Sequence, residues 1–245
     1  MTETALIKSA LAEQDARGEA ETIYNALDLH RGALERKVPT GVLTYAYAEA
    51  ALKTELRANQ KLRESDPAKV LGAFSYGLQL GLVPGPLGLV HFIPFGSEVV
   101  FLVGYRGYIE LAYRSGLVKD VSAELVYEGE PFTAKLGTAP KIEHERNGPA
   151  GERAIVAAYA VAHLKSGGTV SRVIYEDDWE KARKRSQLGA KGKGPWADDF
   201  PAMVLKTAYR RLEPKLPKSP AAGLAEAWDE QPAEPVDDPA ESVPT

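Results

Sequence analysis

Two early segments carry apolar residues at helical spacing, "LTYAYAEAALKTELRANQKLRE" (43–64) and "SDPAKVLGAFSYGLQLGL" (65–82). The second has its own punctuation: Ser65 or Asp66 to cap, Pro67 in the first turn and Gly81 at the end. Period-two alternation then takes over in "LVHFIPF" and "EVVFLVG", which flank the turn residues Gly96-Ser97 and predict a hairpin. "YRGYIELAYRSG" predicts a short helix closed by Gly116, and "VKDVSAELVYEGE", "FTAKLG" and "KIEHER" alternate as strands do. A second hairpin follows, "AIVAAYAVAHLK" and "TVSRVIY" around Ser166-Gly167-Gly168, and helices at about 176–187 and 199–212 complete the run. Strands grouped in hairpins, without regular β-α-β alternation, predict an α+β fold: a central antiparallel β-sheet bracketed by helices.

The two ends read differently. The first 30 or so residues have helical spacing but little apolar content, so residues 1–34 are expected to be an N-terminal arm or loosely held helix. The last 25, "AAGLAEAWDEQPAEPVDDPAESVPT", are rich in Pro, Ala and acids with one aromatic, and are expected to be a disordered tail (221–245) because they bury too little apolar surface to offset their ordering entropy. Residues 35–220 between them are expected to form one main domain.

Charge changes the picture once it is divided along the chain. The whole sequence has 34 acids against 30 bases, but seven of the acids lie in 221–245, where there is no Lys or Arg, so residues 1–220 carry a net +3. Cysteine is absent, which removes disulfides, thiolate chemistry and the Cys-based zinc patterns. The polar, acidic N-terminus is unlike a signal peptide, and no run approaches 18 apolar residues, so a cytoplasmic protein with no membrane association is expected.

Candidate catalytic groups fail on spacing or context. "GAKGKGP" (189–195) resembles a phosphate loop only superficially: Gly194 rather than Ser or Thr follows Lys193, and a helix rather than a strand precedes it. His30, His91, His144 and His163 lack metal-ligand spacing. The pairs Asp177-Asp178 and Asp198-Asp199 fall where helices begin, so capping is the preferred reading over magnesium binding. No catalytic residue, metal or cofactor is expected, and the chain is not expected to be an enzyme.

The basic segment is harder to dismiss. Between Lys181 and Pro195 there are six basic residues, among them Lys184, Arg185, Lys191 and Lys193, and no acid; Lys206, Arg210, Arg211, Lys215 and Lys218 follow. On a helix Lys206 and Arg210 lie about 40° apart and present charge to one side. Tyr105, Tyr108, Trp196 and Tyr209 offer faces on which bases could stack, and a cationic groove with stacking platforms is what single-strand binding requires. A solvated helix face produces the same cluster, and periodicity alone does not decide between the two.

The order of the words is itself informative. "LGLVPGPLGLVHFIPFGSEVVFLVGYRGYIELAYRSGLVKDVSAELVYEGE" (80–130), "AYAVAHLKSGG" (158–168) and "KARKRSQ…GPWADDFPAMVLKTAYRRL…LP" (181–217) closely resemble the RecT family of phage single-strand DNA annealing proteins over about residues 35–220. The resemblance implies a Redβ-like recombinase: a central β-sheet with helices lining a positively charged groove, binding of single-stranded DNA, assembly into rings or helical filaments, and ATP-independent pairing of complementary strands. It also implies a bacterial host cell and, as partners, a phage exonuclease and a host single-strand-binding protein. Carried over by position, the "GY-basic-G" word falls on Gly104, Tyr105, Arg106 and Gly107, and the "GPW…KT…RRL" word on Gly194, Pro195, Trp196, Lys206, Thr207, Arg210, Arg211 and Leu212. Arg106, Lys206, Arg210 and Arg211 are thereby expected to contact phosphate, with Tyr105 and Trp196 stacking on bases or shaping the groove.

This sequence departs from the family pattern at Glu213-Pro214, where Pro214 is expected to end the helix and leave contacts beyond Arg211 unsupported, and at Pro94-Phe95, where a Tyr hydroxyl is missing. Two other classes remain open: a metal-dependent nuclease, which needs clustered carboxylates, and an architectural or double-strand DNA-binding protein, which would share the basic groove but prefer duplex.

Overall fold

The computed structural model describes residues 22–217 except Ser97, Leu136, Ala139 and Gln187. The described residues form two compact units that divide between Gly107 and Tyr108. Residues 35–220, which read as one domain, are thus split, and the division falls inside a helix, α5 (Tyr105–Arg114), where no Pro/Gly-rich or polar linker marks it in the sequence.

The first unit begins with a helix over residues 22–35 (α1), followed by α2 (Tyr45–Ala58), α3 (Gln60–Arg63), α4 (Pro67–Leu80), β1 (Val90–Phe95) and β2 (Glu98–Val103). Ile23, Leu27 and Leu34 of α1 are buried, so the described part of the expected loose arm is a packed helix; residues 1–21 and the expected tail 221–245 lie outside the described residues. The segment 43–64 is not one helix. Asn59 breaks it by capping in both directions: its N–H donates to the Glu55 carbonyl (2.9 Å) and its side chain accepts from the Leu62 N–H (3.1 Å). α4 has the predicted limits, with Asp66 accepting from the Ala68 N–H (2.8 Å) and Gly81 in the left-handed conformation (φ 63°). Leu52, Leu56, Leu62, Phe74 and Leu78 from the helices and Phe92 and Phe101 from the hairpin are all buried, and α3 and α4 pack against the hairpin. Glu49 is buried among them, paired with Arg31 (2.8 Å) and Lys53 (2.6 Å).

The second unit is built on the antiparallel sheet β3 (Val118–Tyr127), β6 (Ile155–Leu164) and β7 (Thr169–Ile174), in the order β3-β6-β7; β4 (Phe132–Lys135) and β5 (Lys141–His144) form a separate two-stranded sheet. The helices α6 (Glu176–Arg185), α7 (Pro195–Asp198) and α8 (Phe200–Leu212) follow, with short 3-10 turns at Gly189–Lys191 and Glu213–Lys215. α7 is one turn long, too short for a periodicity to reveal it. Ala158, Ala160 and Ala162 alternate along β6 and present one smooth face, against which Val204, Ala208 and Leu212 of α8 pack in a common cluster. Tyr159 points to the other face, where its ring stacks on Phe132 of β4 at 5.9 Å. The architecture is α+β with antiparallel hairpins and helices.

Candidate nucleic-acid interface

Strand β7 is at one end of the three-stranded sheet, and its register assigns alternate residues to the sheet's two faces. In register, Val170 lies opposite Ala162, Arg172 opposite Ala160 and Ile174 opposite Ala158, so Arg172 occupies a position on the face that α8 covers. A cation there cannot be buried without a partner, and it is only half-buried: with Arg210 and Arg211 from the last turn of α8 and Lys215 from the following 3-10 turn, it lines an open groove of about 330 Å³. Val173, Ile174 and Pro214 complete the wall, and among the described residues Asp178 is the sole acid in the lining. Its Oδ1 lies 3.5 Å from Arg211 Nη2, and its Oδ2 accepts the backbone N–H of Tyr175 (3.3 Å) at the start of α6.

Local sequence explains the assembly. The C-terminal turn of α8 carries the partial negative end of the helix, which favours Arg210 and Arg211 there. Pro214 ends the α-helix as expected, but it opens a 3-10 turn, and that turn carries Lys215 into the groove. Four cations facing one carboxylate make a concentration of positive charge suited to a phosphate backbone, whose condensed counterions such contacts release.

The structure brings only part of the predicted set together. Arg210 and Arg211 line the groove. Lys184 and Arg185 end α6, Lys191 and Lys193 flank Gly192, and all four are exposed in the same unit without lining the groove. Two expectations need correction. Trp196, expected to offer a stacking face, is 4% exposed: its ring lies 6.1 Å from that of Phe200 and packs over Gly189, where even a Cβ would stand 2.7 Å from Trp196 Cδ1. An indole is too large and apolar to stay in water when a core is at hand. Lys206, expected on the same exposed stripe as Arg210, is 9% exposed, because Met203, Thr207 and Val204 around it belong to the buried side of α8. The 40° between Lys206 and Arg210 spans the edge of that buried face.

Asp199 accepts the Ala202 N–H (3.2 Å) as the cap of α8, and Asp178 lies in the first turn of α6, in line with the capping reading of both pairs. Among the described residues no three His, Asp or Glu side chains converge as a metal site needs, and no helix is long and apolar enough to cross a membrane.

Residues 47–238 match the model of the RecT family. The chain belongs to the RecT family. It is 38% identical over 199 residues to Protein RecT of Escherichia coli strain K12, covering 77% of this chain and 72% of that protein. It is also 28% identical over 171 residues to the uncharacterized protein YqaK of Bacillus subtilis strain 168, covering 66% of this chain and 56% of that one. Membership assigns the chain to DNA recombination and single-strand annealing.

The word Gly104-Tyr105-Arg106-Gly107, which carried much of the resemblance to RecT proteins, lies in the first unit at the start of α5. Its glycines have a packing cause: a Cβ on Gly104 would stand 2.4 Å from the Gly88 carbonyl oxygen, and one on Gly107 2.2 Å from that of Leu89. Arg106 is exposed, and its guanidinium donates to the Tyr105 hydroxyl (3.1 Å) and lies 5.7 Å from the ring centre, so the pair forms a cation–π unit.

Sequence reasoning missed three features. Arg172 was legible as a cation between the apolar Val170 and Ile174 in one phase of its strand, and Lys215 was masked by the helix-ending Pro214. The third is a buried network in the second unit. Glu130 accepts the Tyr127 N–H (2.8 Å), lies 3.0 Å from His144 Nε2 and pairs with Arg153 (3.1 Å), while His144 Nδ1 meets the Tyr159 hydroxyl (3.2 Å). The Tyr127 amide, then His144 and Arg153, hold the Glu130 carboxyl down at about 2 despite its burial. This network ties the β4–β5 hairpin to the sheet on the face away from α8.

Proposed function

We propose that this protein binds single-stranded DNA and anneals complementary strands in homologous recombination without ATP, working as an oligomer or filament and not as an enzyme. The observation that carries the reading is the groove of Arg172, Arg210, Arg211 and Lys215, four cations on rigid elements with one carboxylate among them. Annealing needs two negative strands brought side by side, which requires charge neutralisation and open bases rather than a nucleophile. The annealing region is residues 35–220, drawn from both compact units, with Tyr105, Arg106, Lys184, Arg185, Lys191 and Lys193 as further contacts and Trp196 and Lys206 as parts of the frame. A phage exonuclease and a host single-strand-binding protein are its partners in the cytoplasm of a bacterial host.

Purified protein mixed with two complementary oligonucleotides, with and without ATP, tests the proposal. Annealing at equal rates is the expected result, and a strict ATP requirement would sink it. Arg210→Ala and Arg211→Ala should each reduce the dependence of log Kd on log salt by about 0.7, the value for one single-strand phosphate contact. Preference for duplex over single strand in competition would favour an architectural protein instead.

A further inference from the structure

With Trp196 inside the core, the groove lacks the stacking platform that the sequence offered it. Trp179 is also buried, at 3% exposure, and Tyr209 is partly buried, so neither presents an open face. Tyr175 does. It is 51% exposed, the most exposed aromatic of the second unit among the described residues.

Its position ties it to the phosphate site. Tyr175 directly follows Ile174, which lines the groove, and its backbone N–H donates to Asp178, which faces Arg211 across the groove. Its backbone is extended (φ −125°, ψ 179°) at the junction where β7 passes into α6. Both flanking elements are regular, so the backbone that carries the ring is fixed next to the groove residue Ile174, and about half of the residue's surface is open to solvent.

We propose that Tyr175 is a base-stacking platform for the DNA strand whose phosphates occupy the groove, and that one protomer therefore holds a nucleotide by two unlike contacts. Arg172, Arg210, Arg211 and Lys215 take the phosphate; Tyr175 takes the face of an adjoining base. A tyrosine suits this role because it offers a large amphipathic face at the cost of freezing only two side-chain torsions. Every base has a π-face, so the contact is tolerant of sequence, as a protein that must accept any strand requires. The base is held by its face, and its pairing edge is left free for a complementary strand. This inference rests on the groove being the DNA site.

The test measures Kd for a labelled oligodeoxythymidylate and for an abasic strand of equal length, across a salt series, with the full chain, Tyr175→Ala, Tyr175→Phe and the double variant Arg210→Ala/Arg211→Ala. Tyr175→Ala should bind the normal strand about 5- to 150-fold more weakly, with Tyr175→Phe within about twofold of the parent, as the loss of one base stack predicts. The salt slope should not change, because no phosphate contact is lost. On the abasic strand the parent and Tyr175→Ala should bind alike. The arginine variant should weaken both strands and flatten the slope. If Tyr175→Ala binds the normal strand as the parent does, or loses equally on the abasic strand, while the arginine variant weakens both, the stacking role is overturned and the groove stands. If the arginine variant also binds unchanged, the groove reading fails and takes the stacking role with it. The cap of α6 comes from the Asp178 side chain and the backbone, so Tyr175→Ala keeps the hydrogen bonds that start the helix, and an unchanged melting temperature confirms that the variant is folded.

Discussion

Asp178→Asn removes the sole carboxylate that the described residues place in the groove lining and leaves the four cations there unopposed by it. At 3.5 Å the Asp178–Arg211 attraction would reach about 5 kcal/mol at an effective dielectric constant of 20, but only about 1 kcal/mol in bulk water. The side chains are 34% and 45% exposed, so the solvent-screened limit applies, and pairs of this kind contribute about 0.2–1 kcal/mol net. A phosphate entering the groove must displace that pairing. Releasing Arg211 in advance should therefore tighten single-strand binding by about 1.5- to 5-fold, the range corresponding to that energy. Net groove charge also rises by one, so the salt slope should steepen by up to about 0.7. With all four cations free for phosphate, the Asp178→Asn variant should show a slope near −2.8 and lose about 50-fold in affinity between 50 and 200 mM salt, and the parent, whose Arg211 is shared with Asp178, should lose less. The asparagine side chain can still accept the Tyr175 N–H at the start of α6, so stability should move little. Fluorescence anisotropy with a short labelled oligodeoxythymidylate reads both quantities. Unchanged or weaker binding, with an unchanged slope, would refute the idea that Asp178 and a phosphate compete for Arg211.

Lys206→Ala should lower the melting temperature by the equivalent of about 1–3 kcal/mol while leaving the salt slope unaltered, since Lys206 is buried in α8; differential scanning fluorimetry beside the salt series separates the two effects. Gly189→Ala should destabilise by about 1–3 kcal/mol in urea unfolding, because the new Cβ would stand 2.7 Å from Trp196 Cδ1 and 2.8 Å from the Arg183 carbonyl oxygen. Glu130 has its carboxyl lowered from 4.5 to about 2, so its contribution to stability is complete above about pH 4.5 and is lost as pH falls through that window. Glu130→Gln should flatten the acid limb of the stability curve between those values; an unchanged limb would mean that other carboxylates set it.

Helix and strand identity were legible wherever local chemistry agreed with the fold. Asp66-Pro67 and Gly81 bound α4 in the sequence and in the structure alike, and both hairpins lie where turn residues divide alternating runs. The break at Asn59 was not legible, because the apolar spacing of 43–64 continues across it and only the two hydrogen bonds of its caps interrupt the helix. The interface was half legible. Basic residues and their order along the chain were open to reading, and they carried the family. Which of them reach solvent was not, since Lys206 and Arg210 differ by 40° on a helix whose buried face is set by its contacts with β6 and β7.

Local information therefore decided what is local in cause: caps, turns, alternation, charge and the words that mark the family. Packing decided the rest. Whether Trp196 lies in water or under Phe200, whether Arg172 joins Arg211 and Lys215 across 43 residues of sequence, and which aromatic stays exposed beside them depend on where α8 settles on the alanine face of β6. Burial and juxtaposition are properties of a residue's neighbours in space, and a side chain's own chemistry specifies only what it will tolerate, not what it will meet.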